Sequence, residues 1–490
     1  MPRSRLNFRA GALPDRRTGP TSAGSALTAF AAVLLLGAAQ AACAVGPNYH
    51  TPDQPPVALT ALPPTVSVQP AAGADWWSAF GDPELDSLIH RGLAANLDLR
   101  VALDRVQGAR ALFRESQLNF LPHITTDGGY GRSKEQVPGF GTQRVDIEQA
   151  DLGFDAAWEI DLFGHVRRSV EAAHADSQAA AEDLRDTQVM VAAEIARNYI
   201  ALRGAQAREA VAQQNAQTAS DTVHLTEVRG EIGSGDPVDT ESARAQLQSA
   251  EAQIPVLRAQ EAQAANRLAV LIGVRPGALD AELVGQPPAA PLAQPAQTPI
   301  GDASTFLRRR PDVRAAERRL AAETARTGVA TADLFPRVNV TGFVGFLSGD
   351  VASLFRNGSQ AWSISPAVTW PGLDIASAAA RLRAQKAVND ESLATYQQTV
   401  LRAVEDLQDA LVNYREHQAE VLSLAQQVDA ARRAADLAHI RYKEGRIDFL
   451  RVLDAERTRL EAEDALTEAQ TEANLDVVAI YRALGGETVA

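Results

Sequence analysis

Apolar positions along the chain follow two periods, and each predicts a different element. From Leu393 they step by three and four through Tyr396, Val400, Ala403, Leu407, Ala410, Tyr414, His417, Val421, Leu424, Val428, Ala431, Ala435, Ala438 and Tyr442, with only His417 breaking the apolar run. A seven-residue period held this long predicts coiled-coil packing, and the many alanines let neighbouring helices approach closely. Neither Gly nor Pro interrupts Leu373 to Glu444, and His165 to Arg229 contains no Pro and one glycine, Gly204. Roughly 65 residues at about 1.5 Å each make a rod about 100 Å long. Shorter helices are expected at 97–118, 237–272, 311–333 and 448–484, the last with a stripe of Leu466, Ala469, Ala473, Val477, Ile480 and Leu484.

The second period is two. Leu152, Phe154, Ala156, Trp158 and Ile160 alternate with Asp151, Gly153, Asp155, Ala157, Glu159 and Asp161, whose acidic members are expected to face a lumen. Trp362, Ile364, Pro366, Val368 and Trp370 alternate with Ser363, Ser365, Ala367 and Thr369, and partner strands are expected to begin after Pro122 and Pro336. Four strands of about ten residues, apolar on one face with aromatics near the ends, have the dimensions of tilted bilayer-crossing strands. A half-buried soluble sheet would alternate similarly. Against it stands the lack of any apolar run near 18 residues after the export signal described below. Four strands cannot close a barrel, for which about eight is the minimum, so spanning strands require an oligomer.

The chain repeats itself. Asp98, Arg100, Arg105, Pro122, Gly128 and Gly131 return as Asp312, Arg314, Arg319, Pro336, Gly342 and Gly345. Glu194 returns as Glu405, Arg229-x-x-x-Gly233-x-x-Asp236 as Arg441-x-x-x-Gly445-x-x-Asp448, and Gly273 as Gly485, at offsets of 211 to 214 residues. This is a duplicated half-molecule rather than a solenoid. The expected organisation is an export signal (1–42), an extended Pro-rich tether (43–75), a first repeat (76–277), a Pro-rich linker (278–300) and a second repeat (301–490).

The amino terminus reads as that signal, with Arg3, Arg5, Arg9, Arg16 and Arg17 before an apolar stretch from Ala26 to Ala42. Cys43 is the only cysteine and follows Ala41-Ala42, as in a bacterial lipoprotein box, although Gln40 departs from the usual leucine there. Acyl chains on Cys43 would anchor the amino terminus in a leaflet. Cleavage would remove five Arg and one Asp and take the net charge from −14 to −18. Such acidity argues against a nucleic-acid partner and suits the handling of cations, or simply confers solubility. No nucleophile elbow, zinc-binding His-Glu-x-x-His, phosphate loop or paired-cysteine motif occurs, and the eight histidines are scattered. Gly128-Gly129-Tyr130-Gly131 falls in a predicted strand, His90 and His417 suit surface or packing roles, and no enzyme is expected.

At the hairpin tips, Gly233 and Gly445 are expected to supply a positive φ, and Asp236 and Asp448 to cap the returning helices. Four stretches carry a family resemblance. They are Ala44-Val45-Gly46-Pro47-Asn48-Tyr49; Trp158-Glu159-Ile160-Asp161-Leu162-Phe163-Gly164; Leu307-Arg308-Arg309-Arg310-Pro311-Asp312; and Arg441-Tyr442-x-x-Gly445-x-x-x-x-Leu450-x-x-Leu453-Asp454-Ala455. Together they resemble the outer-membrane factor family, the TolC-like efflux channels, in the lipoprotein (NodT-type) branch serving resistance–nodulation–division pumps.

That resemblance implies an α+β membrane protein. As a homotrimer its four strands per chain would complete a twelve-strand barrel in the outer membrane, above a helical barrel in the periplasm. It implies a periplasmic gate in which Leu450 and Asp454 constrict the pore while Tyr442 and Arg457 help hold it shut. Both tips (Arg229, Gly233, Asp236; Arg441, Gly445, Asp448) would meet a periplasmic adaptor joined to an inner-membrane transporter. Pro237 and Phe449 depart from the small residues usual in the tip grooves. No cofactor is implied beyond the covalent lipid on Cys43. A type I protein-secretion outlet shares this architecture, and a lipid-anchored coiled-coil scaffold without a pore is the alternative from another class.

Overall fold

The computed structural model describes residues 44–53, 66–67, 75–136, 144–284, 298–299 and 306–486. The expected signal peptide, Cys43 and most of the linker lie outside them. Eleven principal elements carry the two repeats among the described residues. The first holds α1 (Pro83–Ala95), α2 (Leu97–Leu118), β1 (His123–Gln136), β2 (Arg144–Ile160), α3 (His165–Glu231) and α4 (Pro237–Leu271). The second holds α5 (Pro311–Ala332), β3 (Arg337–Ser348), β4 (Gln360–Thr369), α6 (Ile375–Lys443) and α7 (Phe449–Ala483), so that α1 and the longer β1–β2 hairpin distinguish the first. The 67-residue α3 and 69-residue α6 run where the sequence lacks proline and nearly lacks glycine. Among the described residues no helix is long and apolar enough to cross a membrane.

The expected seam of α6 is buried at Tyr396, Val400, Ala403, Leu407, Ala410 and Tyr414, and again at Val428, Ala431, Ala435, Ala438 and Tyr442. Between them it slackens: Val421 and Leu424 are half-buried, and His417 bonds Asp476 of α7 at 2.6 Å. The main core lies at mid-height, where Trp76, Trp77 and Phe80 of a short 3-10 turn pack with Ile195, Tyr199, Leu268, Tyr414 and Val477. Trp76 stacks on Tyr481 at 4.9 Å. Neither that turn nor α1 was expected. Asp82 caps α1 through the Glu84 amide (2.8 Å) and accepts a bond from the Tyr199 hydroxyl (2.8 Å), tying the helix start to α3.

The four strands form one antiparallel sheet in the order β1-β2-β3-β4. Phe154, Val344 and Trp362 line up across three strands on one face and are 55%, 59% and 76% exposed. Asp155, Phe343 and Ser363 lie beside them on the other face. A side chain at Gly153 would put its Cβ 2.5 Å from the Phe343 ring, which requires glycine there. The first hairpin corrects the ten-residue expectation, with strands of 14 and 17 residues. Beyond Ala150 its strands pair, among the described residues, only with each other, crossed by Arg132–Glu148 (3.3 Å) and Lys134–Asp146 (3.7 Å). Polar side chains on both faces gave this ribbon no apolar period to read. Asp161 also departs from expectation: β2 ends at Ile160, and the Asp161 carboxylate accepts bonds from the Arg167 amide and Nε at 2.9 and 3.1 Å.

Pseudosymmetric contacts recur at the strand–helix junctions. Trp158 Nε1 donates to the Phe120 carbonyl at 3.0 Å and Trp370 Nε1 to the Leu334 carbonyl at 3.1 Å. The start of the described tether, around Val45 and Asn48, is docked here rather than free. Val45 donates its amide to the Phe163 carbonyl (3.1 Å), and buried Arg168 reaches Asn48 Oδ1 (2.7 Å) and the Val45 carbonyl (3.3 Å). Gly46, at φ 92°, sits where a Cβ would lie 2.6 Å from the Gly328 Cα.

Candidate functional site at the hairpin tips

The two tips have the same backbone. Gly233 (φ 73°) and Gly445 (φ 71°) occupy the left-handed region at the ends of α3 and α6. In each, an amide reaches back five residues to close the turn: Ser234 to the Arg229 carbonyl at 2.9 Å, Arg446 to the Arg441 carbonyl at 2.8 Å. Asp236 then caps α4 through the Val238 amide (2.9 Å), and Asp448 caps α7 through the Arg451 amide (3.1 Å). The expected glycine and aspartate chemistry is therefore in place twice.

Side chains make the tips unequal. Tyr442, whose counterpart in the first repeat is Gly230, is buried beside Ala243, Ala438, Phe449 and Val452. The Arg229 guanidinium lies 4.2 Å from the Tyr442 ring centroid and donates to the Tyr442 carbonyl at 2.9 Å. The Tyr442 hydroxyl and the Asp239 carboxylate interact across the two tips; burial raises the Tyr442 pKa, while burial and the nearby Asp236 charge raise that of Asp239. Arg229, Tyr442 and Asp239 thus fasten the first tip to the second. Asp239 was missed in the sequence, where nothing links it to a tyrosine some 200 positions later. Phe449 points into this cluster, its ring 5.6 Å from that of Tyr442, rather than into an outer groove.

The other expected gate residues lie apart from Tyr442. Leu450 is 63% exposed, and Arg457 donates to Asp454 at 3.1 Å and lies 3.8 Å from Glu461, all along one exposed face of α7. One turn deeper, burial raises the pKa of Glu456, but bonds from His439 (2.5 Å) and Arg459 (3.0 Å) outweigh it and hold the carboxyl below its ordinary value. Gly233, Asp236, Arg441, Gly445 and Asp448 are exposed around the turns.

Comparisons with known proteins give this geometry its setting. The family model described as outer membrane efflux protein matches residues 88–274 and 303–486, the two repeats in turn. The toluene efflux pump outer membrane protein TtgC of Pseudomonas putida is 31% identical over 454 residues, covering 91% of this chain and 92% of that protein. Nodulation protein T of Rhizobium leguminosarum bv. trifolii is 29% identical, covering 91% and 93%. Among solved structures, the outer-membrane channel OprN superposes with a TM-score of 0.87 at 43% identity, covering 91% of this chain and 99% of that one. The open state of the MtrE channel of Neisseria gonorrhoeae gives 0.77 at 28% identity, covering 91% and 98%. With both repeats matched and the fold shared from sheet to tips, the chain belongs to the outer membrane efflux protein family and is an outer-membrane efflux channel of the TolC-like fold.

Proposed function

We propose that three copies of this chain form a passive duct that carries solutes from an inner-membrane transporter of the resistance–nodulation–division type, through a periplasmic adaptor, to the exterior. The observation that carries the reading is the open sheet. Its edge strands β1 and β4 have no outer partner among the described residues, and one face exposes Phe154, Val344, Trp362, Ile364 and Val368. Three sheets of four strands make twelve, enough to close a barrel, and lipid would cover the apolar face. Trp158 and Trp370, both bonded to carbonyls at the strand–helix junction, suit a membrane interface. Docking of Val45 and Asn48 at the strand–helix junction ties the amino-terminal end of the described chain to the strands, which supports acylation of Cys43 as a second anchor. The names of relatives, toluene and antibiotic efflux pumps, support small organic cargo. The chain works as a conduit and not a catalyst.

At the closed tip, three Asp454 carboxylates would gather near the axis. Like charges within a Debye length of about 8 Å repel, so packing around Tyr442 and the bonds from Arg229 and Arg457 must offset them. Leu450 would add an apolar constriction one turn away, and the six tip residues Arg229, Gly233, Asp236, Arg441, Gly445 and Asp448 would meet the adaptor. Mass measurement in detergent should give three chains per particle, and single-channel recording a low, cation-preferring resting conductance. Replacing Leu450 and Asp454 together by Ala should raise conductance several-fold and weaken block by multivalent cations. Val238 and Ser242 hold the equivalent places in the first tip, and their replacement by Ala should leave conductance unchanged. A protein with no conductance at all would be a scaffold. Cys43→Ser should abolish fatty-acid labelling while barrel assembly survives.

A further inference from the structure

Between α3, α4 and α7, roughly 18 residues or about 27 Å of helix above the first tip, lies a cleft of two chambers. The inner one measures about 20 Å³ and is lined by Asn215, Thr222, Val452 and Glu456 among others; the outer one measures about 220 Å³ and opens past Arg457 and Glu461. Asn215, Gln246 and Leu460 line both.

Asn215 is 6% exposed, and its Oδ1 has no hydrogen-bond partner among the described residues. A buried acceptor left unpaired costs about 1–3 kcal/mol, so the cleft favours whatever brings a donor to it. The inner chamber has room for one water or one group of that size. The Glu456 carboxylate on its wall is already held by His439 and Arg459, so the preference for a cationic donor comes from the carboxylates of the outer chamber. The outer chamber is smaller than the roughly 300–1,000 Å³ of pockets that hold drug-sized ligands. Val211, Ala212, Ala250 and Leu460 give it an apolar wall. Of its charged lining residues, Arg457 stands against Glu461 and Asp464, a net of −1. Arg208 already holds Asp464 at 2.7 Å, whereas Glu461 has Arg457 only at 3.8 Å and is 72% exposed.

We propose that this cleft binds short alkyl diamines, one per chain. One ammonium group enters the inner chamber and donates to Asn215 Oδ1. The methylene stem lies against Val211, Ala250 and Leu460, and the second ammonium pairs with Glu461 at the mouth. The site is separate from the Asp454 ring and does not depend on the gate reading.

Isothermal titration calorimetry of 1,4-diaminobutane into the purified full-length protein in detergent tests the assignment. The expected result is saturable binding at one diamine per chain. Asn215→Leu, and Ala250→Leu, which fills the place of the stem, should each weaken binding at least tenfold, while Asp454→Ala leaves it unchanged. 1,4-Butanediol, of the same length but uncharged, should give no saturable heat. Absence of saturable diamine binding to the wild-type protein overturns the proposal, as does equal binding of the diol. Undiminished binding in the two leucine variants together with loss in Asp454→Ala assigns the diamine to the pore ring instead. Should either leucine variant fail to assemble, the wild-type and diol measurements still decide.

Discussion

The two hairpin tips share a backbone and differ in what they hold. Both turn on a left-handed glycine, close on an arginine carbonyl five residues back and restart on a capping aspartate. Only the second carries Tyr442, where the first has Gly230, and only the first offers Asp239, where the second has Arg451. Two copies of one turn have become the two sides of a single contact. Duplication supplied the frame, and a few substitutions at matching places supplied the asymmetry on which a gate can be built.

The same contrast higher in the molecule sets the largest expected effect. Asn96 and Arg310 are equivalent positions, and each reaches the carbonyl near the end of its repeat's returning helix. Asn96 Nδ2 donates to Leu271 (2.8 Å), and Arg310 Nη1 to Ala483 (2.9 Å). Arg310, however, is buried and also holds Asp312 and Asp406. Arg310→Ala should therefore cost about 3–5 kcal/mol by stranding its partners, against about 1–3 kcal/mol for Asn96→Ala. Denaturant unfolding monitored by circular dichroism compares them, and equal losses would show that the buried charges contribute nothing beyond the shared bond.

At the tips, Arg229→Ala removes a ring contact and a hydrogen bond to the Tyr442 carbonyl, together about 2 kcal/mol. In single-channel recordings it should raise open probability clearly, while Arg441→Ala, the exposed equivalent, should change it little. The reverse ranking would break the link between this contact and gating.

The upper hairpins differ in titration. Glu209 and Glu261 of the first repeat correspond to Val421 and Ala473 of the second. Burial, then a hydrogen bond to Glu209, pushes the Glu261 carboxyl up to about 7 from its ordinary 4.5. Folding thus takes up a proton in that window, so the stability contributed is full below about pH 4.5 and lost as pH rises through about 7. Melting temperatures of wild type and Glu261→Gln should diverge between pH 5 and 8, the variant being the flatter. Parallel curves would mean that the pair shares no proton.

The smallest effect tests the common frame itself. A Cβ at Gly233 or Gly445 would meet nothing within 4 Å, so replacement by Ala carries only the left-handed penalty, about 1–2 kcal/mol. The two losses in unfolding free energy should agree within a few tenths. A larger loss at Gly445 would mean that the second turn is coupled to the Tyr442 cluster.

Much of this was legible in the chain. Long stretches without proline and with a three-four apolar period placed α3 and α6 to within a few residues, because helix periodicity is a local property that sequence carries directly. Alternation placed four strands, and Pro, Gly and Asp fixed the turns by backbone chemistry alone. The motif Ala44 to Tyr49 marked the family before its role was visible; the fold shows it clipped under the strands by Arg168. Packing alone decided the rest. No local signal says that Asp161 leaves the lumen face for Arg167, that Phe449 turns inward, or that Arg229 crosses to Tyr442, 213 residues away. Nor does any signal leave Asn215 facing a cleft. A periodic pattern states which face of an element is buried, whereas the partner of a side chain depends on how distant elements meet, and that geometry exists only once the chain has folded.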